Sequence, residues 1–434
     1  MSIEYKIALP VKYEVDVFVA GGGPAGVAAA VAAARNGASV FLAENGGAFG
    51  GAAVQALVPA FMQFTDGVNF IADGIGREVR DYIKENAYEE YKKYCPDSIP
   101  VELLKVCYDG MLTKAGVYFE FFTRVADTVT ENGTIKYVVC AAKGNNYAVK
   151  AKTFVDCTGD GDLAALAGAD FEKGDKSGEM MATTLCAIWN GIDWKSVVRP
   201  DSRRLDDAFK NKVFSNEDRH LPGIWPISRS TGGSNAGHVY DIDGTLSHSL
   251  TLGMVKGRRQ LLEYRKYYKE YLSGYENAEP IISAALLGVR ETRRITGDYI
   301  LNINDFLSRA VFDDEIGRYA YPIDIHSGKN NKAGYDDYEK KFRELRYKPG
   351  ESYGIPYRSL TVKGIKNLLT AGRCISADRS MQASVRVMPC CFITGQAAGT
   401  AAALSKDTCD VRKIDIKVLQ SALKRLGAYL PNAE

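Results

Sequence analysis

Histidine is scarce in this chain: of 434 residues only four are histidine, His220, His238, His248 and His326. No two of them, and none with a cysteine, stand at the spacing of a zinc module, so no metal site is expected. The nine cysteines are scattered without a C-x-x-C pair. That argues against a dithiol–disulfide reductase and against a disulfide framework, and reads as the reduced thiols of a cytoplasmic protein. A net charge of +2 gives no general attraction for nucleic acid or a membrane surface. No apolar run reaches membrane-spanning length, so no membrane insertion is expected. The opening "MSIEYKIALPVKYEVD" lacks the apolar stretch of a signal peptide.

What is present is ordinary globular material, 46% apolar and 25% charged, long enough for two or three domains. One stretch stands out: "VDVFVAGGGPAGVAAAVAAARNGASVFLAEN". Val15, Val17 and Val19 read as a buried parallel strand. Gly21, Gly23 and Gly26 then form G-x-G-x-x-G. The first glycine permits a tight turn, the second lets backbone approach a pyrophosphate, and the third lets the next helix pack on the strand. An alanine-rich helix over 27–36 follows, its N-terminal amides turned to the phosphates. A second strand ends at Glu44, placed to accept hydrogen bonds from a ribose diol.

Further along, 67–94 and 101–116 read as amphipathic helices. Segments split by Asn132-Gly133 and Gly144-Asn145-Asn146 read as a β-meander of three strands, the last being "YAVKA". "TFVDCTGDGDLAALAGA" then returns to a buried strand, a Gly/Asp loop and a helix. Residues 175–355 change character, becoming polar and aromatic with basic helices. "KNLLTAGRC" is again an apolar strand running into glycine, and "PCCFITGQAAGTAAALS" a helix with small residues on one face, expected to pack on the sheet. The pattern predicts an α/β chain. A discontinuous Rossmann-like nucleotide domain with a β-meander occupies 1–174 and 356–434, and an α+β substrate domain is inserted at 175–355.

Three features favour a resident flavin over a passing nicotinamide: Gly50-Gly51 close behind Glu44, the meander, and the closing strand, loop and helix opened by Pro389. "TGDGDLA" matches a second nucleotide loop in letters, but its aspartates repel a pyrophosphate. On Gly21 to Gly26, Glu44, Gly50-Gly51, "DCTGDGDLAALAGA", "GVRETRRITGDY" and the C-terminal segment, the chain resembles the bacterial FAD-dependent oxidoreductases of the glutathione-reductase-type flavoprotein fold. The resemblance implies non-covalent FAD lying extended along Gly21, Gly23, Pro24, Ala25 and Gly26, with Glu44 and Asn45 at the ribose. It implies Gly50, Gly51 and Ala52 beside the pyrophosphate and ribityl chain, and a backbone clamp on adenine from Val125. It also implies Thr158, Gly159, Gly372 and Arg373 along the cofactor, with Pro389, Cys390 and Cys391 near the isoalloxazine. Two departures are Ala52, where a hydroxyl residue is frequent, and Arg373, where many relatives carry an acid for the ribityl hydroxyls.

For the chemistry, Arg386 lies three residues before Pro389 and is expected beside the flavin ring, gripping a substrate anion or held in a loop salt bridge. Arg290, within "RETRR", is a second candidate, against a solvated face pairing with Glu291 and Asp298. His238, in a glycine-rich loop, is a candidate for proton transfer, and Tyr321 and His326 are weaker ones. Adjacent Cys390 and Cys391 read as small residues opening a packed helix. The function expected is hydride transfer between a small polar or anionic metabolite and FAD, with the electron acceptor or donor open. The alternative is an electron-transfer subunit with iron–sulfur partner proteins.

Overall fold

The computed structural model describes residues 3–4, 6–87, 97–328, 342 and 344–433. Its centre is a sheet whose strands are apolar on both faces. β1 (Val11–Ala20) is flanked by β2 (Val40–Ala43) and β6 (Tyr147–Asp156), and β3 (Tyr118–Glu120) extends it beyond β2, all parallel. Val19 pairs with Leu42 on one side and Val155 on the other. Val17, Phe18 and Val19 are fully buried, as a strand covered on both faces must be.

The meander is β4 (Thr123–Glu131), β5 (Thr134–Ala142) and β6. Here the structure differs from the sequence reading. "YAVKA" and "TFVD" are not two strands but one, ten residues long. Its first half pairs with β5 antiparallel, and its second half pairs with β7 (Leu368–Thr370) parallel. The Asn145-Asn146 turn supplied a visible strand start, but nothing between Ala151 and Phe154 breaks the chain. The late strand β7 thus completes the early sheet, and the two ends of the sequence share one unit.

Helix α1 (Pro24–Arg35) follows β1, with Gly23 as its N-cap and Pro24 in its first turn. Helices α2 (Ile75–Asn86) and α3 (Val101–Lys114) are shorter than expected, and residues 88–94 of the first expected helix lie outside the described residues. Near the C-terminus α4 (Arg379–Val385) and α5 (Met388–Leu404) meet at a bend of 94°. No single described helix is long and apolar enough to cross a membrane. α5 is buried all round from Met388 to Ala403.

α5 packs chiefly on α1, not on the sheet as its small-residue face suggested. Gly395 and Gly399 sit against the backbone of Ala25 and Ala29, where no side chain fits. α5 touches the sheet as well, where Thr153 of β6 donates to the Ala402 carbonyl at 3.0 Å. A second core gathers side chains between Leu185 and Val289 around Trp189, which stacks edge-on with Tyr268 of the helix Ser247–Tyr271 at 5.3 Å. It is built on a four-stranded antiparallel sheet of Ile224–Pro226, Thr231–Ser234, Ala187–Asn190 and Glu279–Ser283. Leu301, Phe306, Ile316 and Tyr319 belong to the first core, with α1 and α5.

The α1–α5 contact gives a direct test. Gly399→Val forces side-chain atoms into the Ala29 carbonyl, an overpacking cost of about 3 kcal/mol or more. Thermal unfolding should shift to markedly lower temperature, and an unchanged midpoint would refute the close approach.

Candidate active site

The turn after β1 is built for a phosphate. Gly21 has φ +87°, and a Cβ there would lie 2.7 Å from the Cys157 carbonyl oxygen. Gly26 abuts the Gly21 carbonyl, which seats α1 on the strand. At Gly23 a Cβ would meet nothing within 4 Å, so open space lies over the first turn of α1. That turn carries no acidic side chain, leaving its amides free to face an anion. Gly50, with φ +114°, donates its N–H to the Gly22 carbonyl at 2.8 Å. Gly51 lies so close that its Cβ position is 3.2 Å from the Gly23 Cα, and Ala52 continues the short turn Gly51–Val54. Two glycine loops are therefore laced together beside the same space.

Glu44, at the end of β2, is buried. Its Oε2 accepts the Gly22 N–H at 2.7 Å, and its Oε1 accepts from Gly46 N at 2.6 Å and Gln55 Nε2 at 3.0 Å. It braces both loops, with lone-pair capacity left for a diol. Asn45 is exposed next to it. Val125 lies on β4 opposite Cys140, two residues beyond Thr123, whose N–H bonds the Glu44 carbonyl at 2.9 Å. Thr158 bonds back to Asp156 at 2.7 Å. Gly159 faces Arg373, which pairs with Asp160 at 2.7 Å and keeps a buried, unpartnered Nη1. Gly372 closes the far end: a Cβ there would sit 3.0 Å from the Ala25 Cβ and 3.6 Å from the Cys391 Sγ. Pro389 lies in the first turn of α5. Burial pushes the Cys391 thiol up to about 12 and that of Cys390 well above the usual thiol range, so neither supplies a thiolate. An open phosphate seat, a carboxylate one strand over and an orphaned cation further along fit FAD.

The candidate catalytic side chains gather where α4 turns into α5. Arg386 is the corner residue; its Nη2 donates to the Asp324 carbonyl at 2.9 Å and to Asp324 Oδ2 at 2.8 Å, and its buried Nε has no partner. Arg290 is buried, which corrects the solvated-face reading of "RETRR", and Arg293–Ile295 is a short strand paired with Phe171–Lys173. Arg290 Nη1 donates to the Ala182 carbonyl at 2.8 Å and Thr184 Oγ1 at 2.9 Å, and its Nη2 donates to Asn235 Oδ1 at 3.2 Å. Burial, then the charge of Arg386, lowers it to about 10. Arg294 pairs with Glu291 at 2.6 Å as expected, but Asp298 goes to Arg412.

His238 lies on a short buried strand paired with Thr183–Thr184, and Gly288 bonds the other edge of Thr184. This hub brings His238 and Arg290 together. His238 Nδ1 contacts Asp218 Oδ1 at 3.1 Å, and its Nε2 contacts His326 Nδ1 at 2.8 Å. His326 Nε2 faces Asp324 Oδ2 at 3.4 Å, which closes a line of side chains from Asp218 to Arg386. The His220 ring lies against both other imidazoles, at 5.0 and 5.2 Å, and makes no ring hydrogen bond among the described residues. Burial alone would raise Asp218 and Asp324, but the neighbouring histidines, and for Asp324 the arginines, hold both below the usual carboxylate range. Burial, then Arg290, holds His326 well below the usual imidazole range. The three residues singled out for catalysis, Arg386, Arg290 and His238, are thus brought together. Asp218, His220 and Asp324 were missed and His326 underrated, because no spacing marks residues that meet only in three dimensions. Among the described residues no group of His, Cys, Asp and Glu is arranged to hold a metal.

Residues 16–423 match the family described as FAD dependent oxidoreductase. The chain belongs to that family. No curated protein matches the chain. Among solved structures, this FAD-dependent oxidoreductase is similar to a geranylgeranyl bacteriochlorophyll reductase-like protein from Thermoplasma acidophilum. The two are 11% identical over 96% of this chain and 84% of the other, with a TM-score of 0.47. It is also similar to p-nitrophenol 4-monooxygenase from Pseudomonas putida, at 10% identity over 94% of this chain and 84% of the other, with a TM-score of 0.49.

Two measurements test the site. Gly23→Val meets no atoms in the protein itself, so the variant should fold normally yet purify without FAD; a yellow variant with the wild-type cofactor content would move the phosphate seat elsewhere. Burial, then His238, lowers His220 from 6.5 to about 4. The folded protein then binds fewer protons there than the unfolded chain, so His220 contributes stability above about pH 6.5 that is lost as pH falls toward about 4. Denaturant midpoints should fall over that window, and His220→Gln should flatten the fall.

Proposed function

We propose that this oxidoreductase moves a hydride between FAD and a small anionic metabolite, bound at the Arg290–Arg386 corner. The observation that carries this reading is the meeting of two arginines, three histidines and two aspartates from five separate segments at the start of α5. Surface ion pairs do not gather in this way. Perturbed, buried titratable groups in one place mark reaction sites. The cofactor supplies hydride acceptance and donation. Arg386, with its Nε unpartnered, and Arg290, which stays charged in a buried setting, can hold a carboxylate or a developing oxyanion. His220 offers a ring with free nitrogens for proton exchange. The chain of Asp324 to Arg386 fixes the guanidinium plane, so the loop salt bridge and the clamp are one device. The meander between β3 and β7, and the return of the C-terminal strand to β6, support placing the FAD unit in the glutathione-reductase type. We take the protein to work in the cytoplasm on a small-molecule substrate, with a separate electron acceptor or donor.

Anaerobic mixing of the oxidised holoprotein, and of the photoreduced form, with a panel of hydroxy, amino and unsaturated acids should bleach or restore the flavin absorbance with one class. Neutral counterparts should fail. Arg386→Gln should keep the yellow complex and slow that step by about 2–4 kcal/mol, comparable to removing a transition-state donor. Wild-type traces for Arg386→Gln would remove it from the site.

A further inference from the structure

The contacts of His238 and His326 do not balance for two neutral rings. Three contacts follow one another: two at hydrogen-bond distance, Asp218 Oδ1 to His238 Nδ1 at 3.1 Å and His238 Nε2 to His326 Nδ1 at 2.8 Å, and one longer ion-pair contact, His326 Nε2 to Asp324 Oδ2 at 3.4 Å. Each gap separates two atoms that both present lone pairs unless a proton stands between them. Two neutral imidazoles own one N–H each. Whichever tautomers they adopt, at least one of the three gaps is left with lone pairs facing. One further proton fills all three and gives the pair a single positive charge between two carboxylates.

The surroundings decide when that proton is held. Asp218 and Asp324 bring two negative charges, and Arg290 and Arg386 two positive ones. Tyr240 donates to Asp218 at 3.3 Å, Tyr321 is protonated by burial, and neutral His220 meets one ring edge-on and the other at a tilt. With a neutral pair the charges cancel. An added proton leaves an excess positive charge in a buried place, which burial and Arg290 oppose. An anion between the arginines removes that objection.

We propose that His238 and His326 form a one-proton store, filled when an anion occupies the Arg290–Arg386 corner, and that it holds the proton accompanying hydride transfer. This rests on the reading of the preceding subsection and narrows it to substrates that exchange a hydride and a proton together. For a keto or imino acid bound as its carboxylate, hydride from the reduced flavin forms the C–H bond, the C=O or C=N π bond breaks, and the proton held by the imidazole pair forms the new O–H or N–H bond, which empties the store. Oxidation of a hydroxy or amino acid runs the same bonds backwards and requires the pair first to give its proton to solvent. His326 is on this account a proton-holding group, and Asp218 and Asp324 are positioning residues.

The test uses the holoprotein labelled with ¹⁵N-histidine, with oxalate and acetate as non-reacting anions. Near about pH 7, in the range where imidazoles exchange protons, saturating anion should bring up a far-downfield proton resonance correlated with ring nitrogens of both His238 and His326. A pH-indicator dye in weak buffer should report uptake of close to one proton per protein. His238→Gln and His326→Gln should each abolish the uptake, and Arg386→Gln should weaken anion binding about tenfold or more. Two independently neutral rings at saturating anion, or no response to either anion, overturns the store. So does a stoichiometric metal whose chelation is needed before the resonance appears. None of these readouts needs turnover, so the store can fail while metabolite bleaching succeeds. Bleaching can equally fail while the resonance is present.

Discussion

The contact on which everything else depends is the backbone approach of α5 to α1 at Ala25–Gly395 and Ala29–Gly399. Two helices this close need missing side chains at both crossing points. The glycines remove them, and the alanines opposite keep the gap small. Because α1 is locked to β1 through Gly26, docking α5 on α1 fixes where the N-terminus of α5 lies relative to the phosphate turn. Gly372, against Ala25 and Cys391, shows how tightly the late segments are drawn to the early ones. A cofactor reaching from Gly23 toward Pro389 would follow this α1–α5 seam.

From that seam the reactive corner follows. The 94° bend between α4 and α5 leaves Arg386 at its apex, projecting away from the core toward the loop 321–326. The second core supplies the opposite wall. Thr183–Thr184 is a strand of only two residues, yet it sets the positions of His238 on one side and of Gly288 and Arg290 on the other. The site is therefore assembled between units with separate cores. Its charge balance, two carboxylates against two guanidiniums, is poised so that one incoming anion or proton changes it decisively.

Sequence alone determined the phosphate turn, the carboxylate after the second strand, the meander and the flavin family, because these are local. A glycine pattern, an alternation of apolar residues and a turn pair each report on neighbours within about twenty residues, the reach of one strand–helix–strand unit. Arg386 was legible for the same reason, lying three residues from a proline that opens a helix. Tertiary structure alone decided the rest. β6 runs unbroken because β1, more than a hundred residues earlier, pairs with nearly its whole length, and β7, more than two hundred residues later, covers its second half. The burial of Arg290 and Glu291 depends on partners far along the chain, Thr184 and Asn235 for the guanidinium and Arg379 for the carboxylate. The histidine pair joins residues 88 apart, and Asp218 reaches His238 across 20. No periodicity encodes such meetings, because their energy arises only when buried polar groups have no water to turn to and must satisfy one another.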